Sequence, residues 1–446
     1  MFLKFAITYY QYSPHRLTAP EAGHMYTIAT VVFSVGEVVN IVLAMYLSIN
    51  AVGILFAYFP VIMVDMKYIL DTDIKLISLQ TTFETIGNTV GTFVGLTYKW
   101  LNRQIVMAIA FIMMSVLYAC TPLLTSLWQL YVIAFLFGVG STVNISAYIV
   151  WTIELWQHRS APVLQFNALG FGLGTFIGTT VMSMYTTGNI EPGKPLVPVD
   201  VRQDRLTVPS IVLCSVLTIV PIVSLVVYII KPYKIPENSS VSNNFSDNNN
   251  TVDSNLMEMD ENHSRQQQQH NQQTTDLKLF DDPRSPRILM RVLFTLWFGA
   301  YILMETMFLK FAVTYYQYSP HRLTAPEAGH MYSIATVVYS VGEVVNIVLA
   351  MYLSINTVVC IHYTLVVVGI VLLIVGHWYL TVLWVASCVL MAGCAPLFPL
   401  SVSFTSQYLT FSNTMSNVFQ FSRGLLLLIT PYIIGEFIDG YPFIFF

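Results

Sequence analysis

Eleven apolar runs of roughly twenty residues, parted by short polar turns, leave this 446-residue chain few folds to choose from. A helix rising about 1.5 Å per residue needs about 20 residues to cross a hydrocarbon layer about 30 Å thick. The runs fall at about 51–66, 79–99, 104–122, 127–150, 162–185 and 208–231, then at 288–314, 329–353, 357–376, 379–400 and 415–437. In lipid each backbone N–H and C=O must find its partner within the segment, so the runs predict an all-α, multi-pass integral membrane protein. At 55% hydrophobic and 10% charged residues, the chain lies well outside the soluble range, where about a quarter are charged. Its net charge of −4 gives no basic surface for nucleic acid, so the expected partners are the bilayer and a small solute. Cys120, Cys214, Cys360, Cys388 and Cys394 all sit in apolar runs and read as packing residues, with no metal spacing and no metal expected. No nucleotide-binding motif or catalytic constellation occurs, so neither an enzyme nor an ATP-driven pump is expected.

One stretch breaks the pattern. Residues 232–287, rich in Asn, Gln and Ser, bury too little apolar surface to offset their ordering entropy and read as a disordered linker. They divide the chain into an N-terminal half, 51–231, and a C-terminal half, 288–446, which stops at GYPFIFF after five spans, as if truncated before a last helix. The Lys/Arg bias of the short loops places the linker in the cytoplasm. With the opposite orientation its Asn-x-Ser/Thr triplets at Asn238, Asn244, Asn249 and Asn262 would be glycosylation acceptors. A plasma-membrane location is expected.

Residues 1–50 repeat 307–356 with three differences: Ile7 for Val313, Thr27 for Ser333 and Phe33 for Tyr339. Repeats that build a fold diverge in sequence and tile the protein, whereas this copy is nearly identical and starts in mid-helix. It points to a recent duplication or a gene-assembly artefact, and adds one span at 26–48. Joined there by a tight turn at Ser48-Ile49-Asn50, the span 51–66 is only about 24 Å long.

Six spans, a long polar linker and a shortened second set resemble the layout of the major facilitator superfamily, whose halves are related by an axis along the membrane normal. The loop GLTYKWLNR at 95–103 matches that superfamily's G-x-x-x-D-R-x-G-R weakly, through Gly95 and Arg103, with Lys99 in the acidic position. The segment WQHRSAPVLQFNALGFGLGTFIG, 156–178, is more specific. Its Trp156, Ala161, Pro162, Gln165, Phe171 and Gly174 resemble the helix four–five junction of the sodium-dependent glucose transporter 1 family, also called major facilitator domain-containing protein 4. The resemblance implies two pseudo-symmetric helical halves and carriage of a hexose, with sodium as the candidate coupling ion and no other cofactor. The family's helix four shows D-T-x-x-N, where this chain has Ile145, Ser146 and Ile149 with Asn144 just before; Ala168 takes the place of a helix-five His, beside Asn167.

Polar groups at bilayer depth are costly and mark partners or pathways. Gln165, Asn167 and Asn144 are candidates for binding a sugar-like solute, since amides suit neutral polyols; bonding between helices is the alternative use. Glu343 and Arg423 lie about 15 and 12 Å from the linker-side ends of their spans, which suggests an intramembrane ion pair or gate. In the family the basic and acidic groups are exchanged between these two helices. Gly87, Gly91 and Gly95 recur every fourth residue and predict close helix packing. Glu84, Glu305 and Lys310, near the ends of their runs, read as interfacial. The function expected is solute transport by alternating access; the alternative is a degenerate, non-transporting chain or a solute sensor.

Overall fold

A computed structural model describes residues 46, 48–95, 103–156, 160–189, 197–230, 286–408 and 413–442. The expected span 26–48 lies outside these apart from 46 and 48, as does residue 47; the linker lies outside them as far as 285, and so does the loop 96–102. The described residues form twelve α-helices: α1 Ser48–Ile69, α2 Ile74–Gly95, α3 Arg103–Ala119, α4 Leu127–Trp156, α5 Ser160–Ser183 and α6 Val199–Ile230 before the linker. After it come α7 Pro286–Tyr318, α8 Ala325–Tyr352, α9 Ile355–Gly376, α10 Leu380–Cys394, α11 Leu397–Tyr408 and α12 Asn413–Phe437. Six of these are long and apolar enough to cross a membrane, and α6 turns Val208, Ile211, Val212, Val216 and Ile219 outward. The bundle therefore has a linker side, where α6 ends and α7 begins, and an opposite far side.

Several boundaries differ from the sequence reading, two of them for evident local reasons. Ser48–Asn50 are helical: Asn50 donates its side-chain N–H to the Tyr46 carbonyl at 2.8 Å, and α1 reaches 22 residues, enough to span. The single span expected at 379–400 is two helices, because Pro396 has no N–H to give and the chain restarts with Leu400 N–H on the Pro396 carbonyl. Elsewhere punctuation is conventional. Thr324 and Glu327 cap α8 reciprocally, and Ser354 caps α9 by accepting the Thr357 N–H. The turns from α1 to α2 and from α7 to α8 occupy corresponding places in the two halves, and each holds one residue in left-handed conformation, Asp71 and Arg322, both at φ 44°.

One continuous apolar core runs through both halves, and aromatic and hydroxyl contacts tie the helices within each. In the first, Tyr58 stacks on Tyr118 and Tyr118 on Phe137, with centroids 5.1 and 4.2 Å apart, while Tyr58 meets the Ser210 hydroxyl at 2.7 Å. That ties α1, α3, α4 and α6. In the second, Tyr316 meets Ser387 Oγ at 2.7 Å and Tyr332 donates to the Leu309 carbonyl at 2.9 Å, tying α7 to α10 and α8. The halves meet along α2 with α12 and α5 with α8.

Packing of α2 on α4 sets the position of Glu84. A Cβ on Gly138 would strike the Glu84 carbonyl, and one on Gly87 the Phe135 carbonyl, so each helix rests on the other's backbone. Gly91 lies on α4 as well, against Val139 and Thr142; Gly95 ends α2, and its surroundings are outside the described residues. Gly138→Val should destabilise the protein by about 1–3 kcal/mol, read as a lower melting temperature in detergent. Gly440→Ala, which meets nothing within 4 Å, should leave it unchanged.

Candidate site between the halves

Charge in the bilayer needs a partner, and α2 and α7 supply one across the boundary between halves. Lys310 Nζ donates to Glu84 Oε1 at 2.8 Å and to Oε2 at 2.9 Å. Gln80, one turn away, adds its amide N–H to Oε2 at 3.2 Å, and the Phe56 ring of α1 faces the ammonium 3.9 Å from its centroid. Glu84 is 4% exposed and Lys310 2%. Removing either charge would strand the other, so a buried pair with its hydrogen bonds made is a strong conditional link.

This overturns the interfacial reading of Glu84, Lys310 and Glu305. α2 begins at Ile74 rather than 79 and α7 runs to Tyr318 rather than 314. Glu84 and Lys310 therefore lie about 15 and 12 Å from the far-side ends of their helices. Glu305, also buried, accepts the Tyr301 hydroxyl at 2.7 Å.

Toward the far side, further contacts close the seam. Thr82 Oγ1 donates to the Leu428 carbonyl at 3.0 Å, Thr180 and Ser333 hydroxyls meet at 3.1 Å, and Lys67 Nζ donates to Tyr318 OH at 3.0 Å. Lys75 and Glu436 pair at 2.5 Å at the rim, where partial exposure and solvent screening leave the bridge weak. The α5–α6 connection takes part through a buried scaffold. Asp65 of α1 pairs with Arg202 Nη1 at 2.5 Å and accepts the Thr187 and Gly188 backbone N–H groups at 2.9 and 3.0 Å. The turn so held delivers the Asn189 N–H to Gln317 Oε1 on α7, at 2.9 Å. Gly188 is required there: its φ is +72°, and a Cβ would collide with Ala325 and Gln317. The hydrogen bonds and ion pairs named above between the halves lie from the middle of the bundle to the far side.

The residues singled out from sequence are distributed around this seam. Asn144 is buried on α4, its Nδ2 donating to the Gly140 carbonyl at 2.9 Å, which leaves Oδ1 for another group. Asn167 is buried on α5; Gln165 is on the same helix, with its side chain outside the described residues. Glu343 is 1% exposed on α8, and its Oε2 has no hydrogen-bond partner. Arg423 belongs to α12 and its side chain lies outside the described residues; α8 and α12 both pack on α7. From observed helix ends the two lie about 14 and 15 Å from the linker side. No cluster of three His, Cys, Asp or Glu suited to a metal occurs among the described residues. Charge exchange tests the central pair. Glu84→Lys or Lys310→Glu alone should cost about 3–5 kcal/mol and remove folded protein from size-exclusion profiles; the double exchange should restore most of it.

The Major Facilitator Superfamily model matches residues 45–431. Solved structures of similar fold include the partially occluded, inward-open xylose transporter XylE of E. coli, at 12% identity and TM-score 0.59 over 88% of this chain and 92% of that one. A D-xylose-proton symporter aligns at 14% identity and TM-score 0.60, covering 92% and 94%. The nucleoside transporter NupG aligns at 13% and 0.56, covering 90% and 91%. No curated protein sequence matches the chain.

Proposed function

Because the chain belongs to the Major Facilitator Superfamily, we propose that it carries a small polar solute, a hexose in the first instance, by rocking its two halves about a site near the midplane. The observation that carries this is the seam. Its bonds lie from the middle of the bundle outward to the far side, so the described contacts correspond to one end of an alternating-access cycle, far side shut. Opening that side requires the Glu84–Lys310 pair to part, and both charges then pass from a buried contact into water. The cost of that exchange is what a bound solute can bias.

For the solute we favour neutral hydroxyl-rich molecules. Asn144 offers a free carbonyl oxygen on α4, Asn167 and Gln165 are on the adjacent α5, and the names of two structurally similar proteins record xylose as their substrate. Each amide would supply one or two hydrogen bonds to a sugar. Sodium coupling, implied by the sequence resemblance, is a separate proposal, tested by comparing uptake in sodium with uptake in choline. Glu343 and Arg423 are proposed as a second pair, within the C-terminal half. Reversing either alone should abolish folded protein, and reversing both should restore it; no recovery in the double variant removes the pair.

Uptake of labelled hexoses into proteoliposomes containing the full chain tests the main reading. Asn144→Ala and Asn167→Ala should each weaken apparent affinity about 3- to 10-fold while folded yield stays unchanged. If no hexose moves, the sugar assignment falls. If the far side still opens and closes, the chain is a solute sensor or a carrier of another polar solute.

A further inference from the structure

A carrier that shuts its far side over a carboxylate must neutralise that carboxylate, because an isolated buried charge costs several kcal/mol. A coupling cation or a proton is the usual means. Here the position beside Glu84 is already filled by an ammonium from the opposite half, which engages both carboxylate oxygens. We propose that Lys310 is a tethered coupling cation: it occupies a latent monovalent-cation site on Glu84, so that closure of the far side draws its positive charge from the chain and needs no ion from solution at that site. The inference rests on the alternating-access reading above.

The surroundings of Glu84 are built for a cation as well as for a lysine. Gln80 directs Nε2 to the carboxylate and holds its carbonyl oxygen toward Thr81, whose hydroxyl donates to it at 3.4 Å. Thr85 follows on the same buried face of α2. From α3, Tyr118, close enough to sense the Glu84 charge, is buried with its hydroxyl unpartnered. Oxygen donors of this kind suit sodium, and an unpartnered buried hydroxyl is a group awaiting a ligand. Other charges on packed elements are placed elsewhere. On α1, Asp65 pairs with Arg202 and Lys67 reaches Tyr318; on α12, Glu436 pairs with Lys75 at the far-side rim. α4 has no Asp, Glu, Lys or Arg between Leu127 and Tyr148. Arg423 is on α12, toward the linker side.

The site should become visible when the tether loses its charge. In Lys310→Gln, Glu84 must take either a sodium ion or a proton, sources that share one chemistry and are told apart by salt and pH. The measurement is the melting temperature of purified full-length protein in choline chloride and in sodium chloride, each at neutral pH and again as pH falls through the carboxylate range. Wild type should melt at the same temperature in both salts. Lys310→Gln should gain about 2 °C or more, saturably, from sodium or, in choline, from acid; Glu84→Gln/Lys310→Gln should respond to neither. If Lys310→Gln gives no folded protein in choline, extraction in sodium or at acid pH should recover it. A wild-type sodium response that Glu84→Gln abolishes would overturn the proposal, as would a folded Lys310→Gln indifferent to both ions, or one that neither ion recovers. Because melting does not depend on transport, absent uptake with these responses intact would remove the carrier reading and leave the Glu84 site standing.

Discussion

A carboxylate and an ammonium, drawn from opposite halves and removed from water together, set the terms on which this bundle can move. Neither Glu84 nor Lys310 is tolerable alone at its depth, and each is tolerable in contact with the other. The geometry that brings them together is backbone geometry. Gly87 and Gly138 let α2 and α4 touch main chain to main chain, fixing the helix that bears Glu84. In the C-terminal half, the bonds of Tyr316 and Tyr332 fix the helix that bears Lys310. The two sets of helices therefore meet at a seam whose polar contacts lie within a continuous apolar core.

The two halves repeat one another in ways their residues do not. Asp71 and Arg322 hold the same left-handed turn between the first and second helices of each half, although one is acidic and the other basic. α2 meets α12, and α5 meets α8, as an axis along the membrane normal requires. At the far-side rim the N-terminal half's α5–α6 connection, held by Asp65 and Arg202, reaches across through Asn189 to Gln317.

Much of this was legible in sequence, because length and hydropathy decide what can cross a bilayer. Ten of the eleven expected spans correspond to single helices, with ends that differ by up to nine residues, as at Val199 of α6 against 208, and the four-residue spacing of Gly87 and Gly91 marked a packing face. What escaped was a matter of boundaries. Beginning α2 at 79 instead of Ile74 and ending α7 at 314 instead of Tyr318 moved Glu84 and Lys310 outward by about 6–8 Å. Two buried partners so became two surface charges. The polar ends of these helices, DTDIKL and TYYQY, look like loop and belt, and nothing local says that they are wound. Equal depth was the available signal; it was read for Glu343 and Arg423 and missed for Glu84 and Lys310. The break at Pro396 was likewise visible as a proline yet hidden by the apolar residues on both sides.

The central claim is that the Glu84–Lys310 contact holds the far side shut. Spin labels in a chain with its five cysteines replaced test it most directly, with one pair at Leu123 and Tyr379 on the far side and another at Phe93 and Tyr352 toward the linker side, all four well exposed. Distance distributions would be compared between the otherwise unchanged chain and Glu84→Gln/Lys310→Gln. The account predicts that neutralising the pair lengthens the far-side distance and shortens the linker-side one. Two unchanged distributions, in a variant that remains folded, would contradict it and reduce the pair to helix packing.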